Sequence, residues 1–255
     1  MSDKLGLILY TLRDYCTNES DLDETLAKVR SIGYKNVQVS GIGPIKPEVV
    51  RSLCDKNDIK IIAAHDGTDG LRADIQSVIG KLQTYGCDFT ALGHPGPAFD
   101  WKAENLNSFI KELRSWCETF KEVGLKFGYH NHANEFQKYN GKIMLDTLYD
   151  EIPADVLYAE LDVYWVTRGG CNPVDYIKKV YNRMPVIHYK DFAVVDAQPT
   201  FCEVGEGNLD WPSINKACVD AGVKYHVVEQ DAPFMDRDIF ESIKISYNNL
   251  VKMGM

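Results

Sequence analysis

The chain has 255 residues, 45% of them hydrophobic, and a formal net charge of −9. Single (β/α)8 barrels commonly run to about 250 residues, and a chain of this length can build a sizeable core without disulfide staples. The negative charge repels phosphate backbones at long range, and no apolar run approaches the roughly 18 residues of a membrane span.

The amino-terminal Met1-Ser2-Asp3-Lys4-Leu5 has no basic flank leading into an apolar stretch. No signal peptide is therefore expected, and a cytoplasmic location is. A first strand is predicted at Leu5–Tyr10, followed by a helix over Asp21–Ile32 whose Ser20 and Glu24 suit an N-terminal cap region. Strand Asn36–Ser40, helix Pro47–Lys56, strand Lys60–His65, helix Asp74–Tyr85, strand Phe89–Leu92 and helix Glu104–Val123 come next. The remaining strands are Lys126–Asn131, Val156–Asp162, Val186–Tyr189 and Lys224–Glu229. Four helix-to-strand links share one grammar, with Gly33, Gly86, Gly124 and Gly222 each ending a helical pattern two or three residues before a β-rich run. Glycine there supplies the left-handed cap of a short αβ connection. Eight strand–helix units leave no room for a second domain, so residues 1–255 are read as one α/β domain, a single (β/α)8 TIM barrel. An open doubly wound sheet would carry a glycine-rich phosphate loop after its first strand, and Tyr10-Thr11-Leu12-Arg13-Asp14 is nothing like one. The seven cysteines (16, 54, 87, 117, 171, 202 and 218) form no C-x-x-C pair, which argues against a disulfide framework and a thiolate zinc site. Cys87 and Cys117 read as small core residues.

In a barrel, function sits where strands end and the following loops begin. Polar residues collect there: His65-Asp66 after strand three, His94 after strand four, and His130-Asn131-His132 with Glu135 after strand five. Strand six ends in Glu160-Leu161-Asp162, strand seven in His188-Tyr189-Lys190-Asp191, and strand eight in Glu229-Gln230-Asp231. Five of the six histidines fall at this rim, while alternation turns His226 towards the helices. A lone strand-end histidine such as His65 or His94 commonly does no more than hydrogen-bond, Glu160 could pair with Lys126 or Lys190, and Asp191 could cap the loop after it. Glu203 and Glu206 read as solvent-facing loop residues, and the four tryptophans mainly as packing aromatics. Asp162, His188 and Glu229 converge from three successive strands. Carboxylates crowded into a closed space repel, and a divalent cation resolves that; mixed imidazole and carboxylate ligands suit Mn²⁺, Mg²⁺, Co²⁺ or Zn²⁺.

Five ordered motifs spanning essentially the whole chain resemble the xylose isomerase-like barrel superfamily, in its sugar phosphate isomerase/epimerase branch. They are Tyr129-His130-Asn131-His132-Ala133-Asn134-Glu135-Phe136, Leu161-Asp162-Val163-Tyr164-Trp165, His188-Tyr189-Lys190-Asp191, Val204-Gly205-Glu206-Gly207 with Asp210-Trp211, and Val228-Glu229-Gln230-Asp231. The resemblance implies one divalent metal ion, manganese before magnesium, cobalt or zinc, bound by a Glu/Asp/His/Glu set that chelates a sugar carbonyl and its neighbouring hydroxyl. Asp162, His188 and Glu229 match the last three ligand positions. Many relatives have glutamate where this chain has His130, so Glu135 is expected as the fourth ligand, with His130 the alternative.

A ketose isomerase or epimerase follows, in which an α-proton is removed and returned through an enediolate stabilised by the metal. Glu229, His132 and His130 are the candidate acid/base groups. His65, His94, Lys190, Trp165 and Gln38 are the candidate substrate contacts. A lyase that eliminates from 3-keto-glycosides would use the same proton abstraction. An endonuclease IV-type phosphodiesterase and a non-catalytic sugar-binding barrel are further alternatives. The expected partner is a small sugar, with neither nucleic acid nor membrane, in a homodimer or homotetramer.

Overall fold

The computed structural model describes residues 2–255. Its elements in chain order are β1 (Leu5–Ile8), α1 (Glu19–Ile32), β2 (Asn36–Val39), α2 (Pro47–Lys56), β3 (Lys60–Asp66), α3 (Thr68–Tyr85), β4 (Phe89–Leu92), α4 (Leu106–Glu122) and β5 (Lys126–His130). There follow β6 (Lys138–Tyr139), β7 (Lys142–Ile143), α5 (Met144–Glu151), β8 (Leu157–Glu160), α6 (Val163–Arg168), α7 (Pro173–Lys179), β9 (Val186–Tyr189), β10 (Asp191–Val195), β11 (Gln198–Cys202), α8 (Trp211–Asp220), β12 (Tyr225–Val228) and α9 (Ile239–Lys252).

Eight parallel strands lie side by side in the order β8-β5-β4-β3-β2-β1-β12-β9. The two ends of this sheet meet through a parallel bridge between Asp162 and His188. The sheet is thus rolled into a nearly closed barrel with helices between its strands. The four linking glycines take positive φ, from +68° at Gly86 to +128° at Gly33, a region side chains with a Cβ avoid. Most of the apolar core lies between sheet and helices, and Cys87 and Cys117 are buried in it. A separate, smaller cluster fills the barrel interior: Ile8, Ile62, Ala63, Phe89, Ala91, Val186 and Val227. It forms an apolar floor beneath the carboxyl ends of the strands.

Three boundaries differ from expectation for identifiable reasons. The first strand stops at Ile8, and Leu9–Tyr15 winds into 3₁₀ turns. The first helix is capped by Asn18, whose side chain accepts from the Asp21 amide, so Ser20 and Glu24 lie inside the helix. The third helix begins at Thr68 and kinks at Asp74, whose carboxylate then caps the continuing segment through the Ser77 amide. Two antiparallel hairpins, β6–β7 and β10–β11, decorate the carboxyl-end rim.

Candidate active site

Strand alternation turns a set of polar side chains inward just above the apolar floor: Gln38 of β2, His65 of β3, His130 of β5, Glu160 of β8, His188 of β9, and Glu229 beyond β12. Gln38, Glu160, Asp162 and His188 are fully buried, and His130 and Glu229 nearly so. One ligand atom each from His130, Asp162, His188 and Glu229 lies within 4.8 Å of the others. His188 Nδ1 is 2.6 Å from Glu229 Oε2. Asp162 Oδ1 accepts from the Trp165 amide and so caps α6. Asp162 Oδ2 and His130 Nδ1 are buried with no hydrogen-bond partner among the described residues.

Lys190 is buried beside this group, its Nζ 2.7 Å from Asp231, 3.4 Å from Glu229 and 3.6 Å from Asp162. It also lies 5.1 Å from the centroid of the Trp165 ring, within cation–π range. Burial pushes the Asp162 carboxyl up, against the pull of Lys190, to about 7. Burial also raises Glu229, but Lys190 and His188 outweigh it and hold the carboxylate well below its usual range. For His188 burial disfavours the charged ring, yet Glu160 and Glu229 prevail and raise it to about 9. His130 is depressed to about 3 by burial and then by His188, and His132 to about 4, chiefly by burial. Two carboxylates, two imidazoles and two orphaned buried atoms form a donor set that fits a divalent cation.

Glu135 does not join this group. Its carboxylate accepts from the Tyr129 hydroxyl at 2.9 Å and from the His132 amide at 2.8 Å, which turns it away from the barrel axis. The fourth side chain that the structure brings to Asp162, His188 and Glu229 is His130, at the end of β5. Gln38 is also placed differently from expectation. It has no exposed surface, and both ends of its amide are engaged, by Glu160 at 3.0 Å and His188 at 2.8 Å, so it lies behind the site rather than in contact with the cavity.

His65 lies at the cavity wall with Nε2 2.5 Å from Glu160, so Glu160 pairs with an imidazole and not with Lys126 or Lys190. The cavity holds about 250 Å³ and is walled by Tyr10, Ser40, His65, His130, His132, Glu229 and others. Trp165 packs against His132, with ring centroids 5.4 Å apart. His94 is exposed and lines an adjoining groove that shares Tyr10, Ser40, His65 and Gly93 with the cavity.

One reading of the loop after β11 is revised. Glu203 is fully buried, accepting from Ser242 at 2.6 Å and pairing with Arg237 at 2.7 Å, whereas Glu206 is exposed. Asp191 holds this loop: its carboxylate accepts from the amides of Phe192, Gly205, Gly207 and Leu209 and from the Trp211 indole. A Cβ on Gly207 would come within 2.4 Å of Asp191 Oδ1, so only glycine permits this approach.

With this geometry in hand, comparison with known proteins is decisive for the family. Residues 26–233 match the model of the xylose isomerase-like TIM barrel. The chain belongs to that family. An inosose dehydratase from Clostridium perfringens is 20% identical over 249 residues, covering 84% of this chain and 83% of the relative. Among solved structures, a sugar phosphate isomerase/epimerase from Parabacteroides distasonis superposes with a TM-score of 0.82 at 22% identity, over 97% of both chains. An L-ribulose 3-epimerase superposes with a TM-score of 0.72 at 13% identity, over 98% of this chain and 93% of its own. The family neighbours thus include sugar isomerases, epimerases and dehydratases built on the same barrel.

Proposed function

We propose that the protein is a divalent-metal-dependent enzyme acting on a small sugar by α-proton abstraction, with isomerisation or epimerisation as the outcome. The observation that carries this reading is the convergence of His130, Asp162, His188 and Glu229, of which His130 and Glu229 reach the wall of a cavity of about 250 Å³. Those four residues would hold the ion, manganese being the first candidate. A bound divalent ion supplies Lewis-acid polarisation of a carbonyl and its neighbouring hydroxyl, which acidifies the adjacent C–H.

The chain's own groups then divide the work. Glu229 presents a carboxylate to the cavity and takes up the α-proton at Oε1, the oxygen turned towards Lys190 rather than His188. His132, kept neutral by burial, has a ring nitrogen able to accept or return a proton on another side of the cavity. His65, at the cavity wall, orients substrate hydroxyls; Lys190, without exposed surface, steadies the carboxylates of Asp162, Glu229 and Asp231 from behind, and Trp165 backs the His132 ring rather than lining the cavity. Return of the proton to the neighbouring carbon isomerises, and return to the opposite face of the same carbon epimerises. If a β-leaving group is present, the same abstraction leads to elimination, a dehydratase or lyase reaction; the match to an inosose dehydratase supports this second reading.

The test is incubation of manganese-loaded protein with ketoses in D₂O, alongside the Asp162→Ala and His188→Ala variants. Exchange of the α-proton by wild type, abolished together with metal binding in both variants, is expected. A variant that keeps metal and exchange would sink the assignment. Loss of water or of an aglycone, rather than a rearranged sugar, would decide for elimination.

A further inference from the structure

Glu160 is a fully buried carboxylate that the proton-transfer scheme above does not use. Taking that site as a metal centre, we propose that Gln38, oriented by Glu160, fixes the tautomer of His188 so that its Nδ1 lone pair faces the ion and its Nε2 carries the proton.

The argument runs outward from the carboxylate. A carboxylate only accepts hydrogen bonds, so the end of the Gln38 amide that faces it must be the NH₂. That contact is Gln38 Nε2 to Glu160 Oε1, 3.0 Å. The Gln38 carbonyl then points the other way and lies 2.8 Å from His188 Nε2. A carbonyl also only accepts, so His188 Nε2 must donate. The remaining nitrogen, Nδ1, lies 2.6 Å from Glu229 Oε2 and donates to it in the metal-free protein; an ion held by Glu229 would displace that proton and leave the Nδ1 lone pair to coordinate, while Nε2 keeps its own proton on Gln38. Turning the amide over would set its oxygen against the carboxylate and leave a buried acceptor unpaired, which a dry interior disfavours.

The anchor is rigid at both ends. The second oxygen of Glu160 is engaged by His65 Nε2, and Gln38, Glu160 and His188 have no exposed surface through which water could substitute. The register of β2 against β3 shifts between Val37 and Gln38, an irregularity of the kind that re-aims a side chain. Outer partners of this sort typically alter metal affinity 10–100-fold when removed. Gln38 is on this account a positioning residue.

The experiment uses zinc-loaded protein labelled with ¹⁵N-histidine and read by long-range ¹⁵N–¹H correlation, together with zinc affinity from a competing chelator. Wild type should show His188 with a protonated Nε2 and a zinc-bound Nδ1. Gln38→Leu should lose roughly tenfold or more in zinc affinity and show a mixed His188 signal. Glu160→Leu, which frees the amide to turn, should mix the signal as well. Coordination through Nε2 in wild type overturns the proposal whether or not the variants fold, and so does Gln38→Leu with unchanged affinity and spectrum. A wild-type protein that takes up no zinc removes the metal reading along with this one, which separates the two failures.

Discussion

Lys35 with Asp3, Arg51 with Asp55 and Arg30 with Asp58 form ion pairs of 2.7–2.8 Å at the amino ends of the strands, around or beside a hollow of about 500 Å³. At the carboxyl ends, Glu160 with His65, His188 with Glu229, and Lys190 with Glu229 and Asp162 form contacts of 2.5–3.6 Å, with Glu160, His188, Lys190 and Asp162 without exposed surface. The hollow at the amino pole is larger than the cavity beside His130 and Glu229, so size does not distinguish the two poles chemically. What separates the poles is desolvation. Exposed pairs are screened and contribute little, while buried charges depend on one another because no water replaces a missing partner. That interdependence is also why a donor set with two orphaned atoms can persist: a cation would complete it.

The comparison is broken most severely at Asp191, a buried carboxylate of the carboxyl pole with five N–H donors around it. Asp191→Ala leaves those donors unpaired and should cost on the order of 3–5 kcal/mol, read from urea unfolding. Lys35→Ala at the amino pole should leave the unfolding midpoint and the activity unchanged, because its partner Asp3 is solvent-exposed. Equal effects would refute the distinction.

A finer cut falls within the carboxyl pole itself. His130→Ala should weaken manganese or zinc binding by roughly tenfold or more, and Glu135→Gln should leave it unchanged, by titration calorimetry. The reverse outcome would return Glu135 to the metal.

The smallest expected effect is a pH slope from His226, buried on the helix side of β12 and depressed to about 4 by burial and by Lys4. Its unfolded pKa is ~6.5, so between about pH 6.5 and 4 the unfolded chain takes up the proton first, and stability falls as pH falls through that window. The ring pairs with the Tyr189 hydroxyl, which also donates to Asn215. His226→Phe leaves that hydroxyl its Asn215 acceptor and should flatten the decline, measured as unfolding midpoints at pH 5 and pH 7. An unchanged slope would assign the acid sensitivity elsewhere.

Much of this molecule was legible before any coordinates. Period-two strands and recurrent helix-ending glycines specify alternating units, and eight of them in this length specify a barrel. Strand ends in a barrel collect on one rim, so Asp162, His188 and Glu229 could be placed together from their positions alone. The β6–β7 hairpin was not anticipated, although its turn residues Asn140-Gly141, at φ of +52° and +83°, are the pair such a two-residue turn favours. The β10–β11 hairpin turns on Asp196-Ala197, with φ of +50° and +60°, a pair without that signature, and nothing local announced it.

The amino-acid sequence by itself thus determined the barrel, its polar rim and three of the four converging side chains, because periodicity and turn chemistry act over a few residues. Tertiary structure alone decided that His130 faces the group while Glu135 turns to Tyr129, that Gln38 lies behind His188, and that Glu203 is buried. Each of these depends on partners far along the chain or on how a short loop is turned, and hydrogen bonding in a dry interior sets which atoms meet.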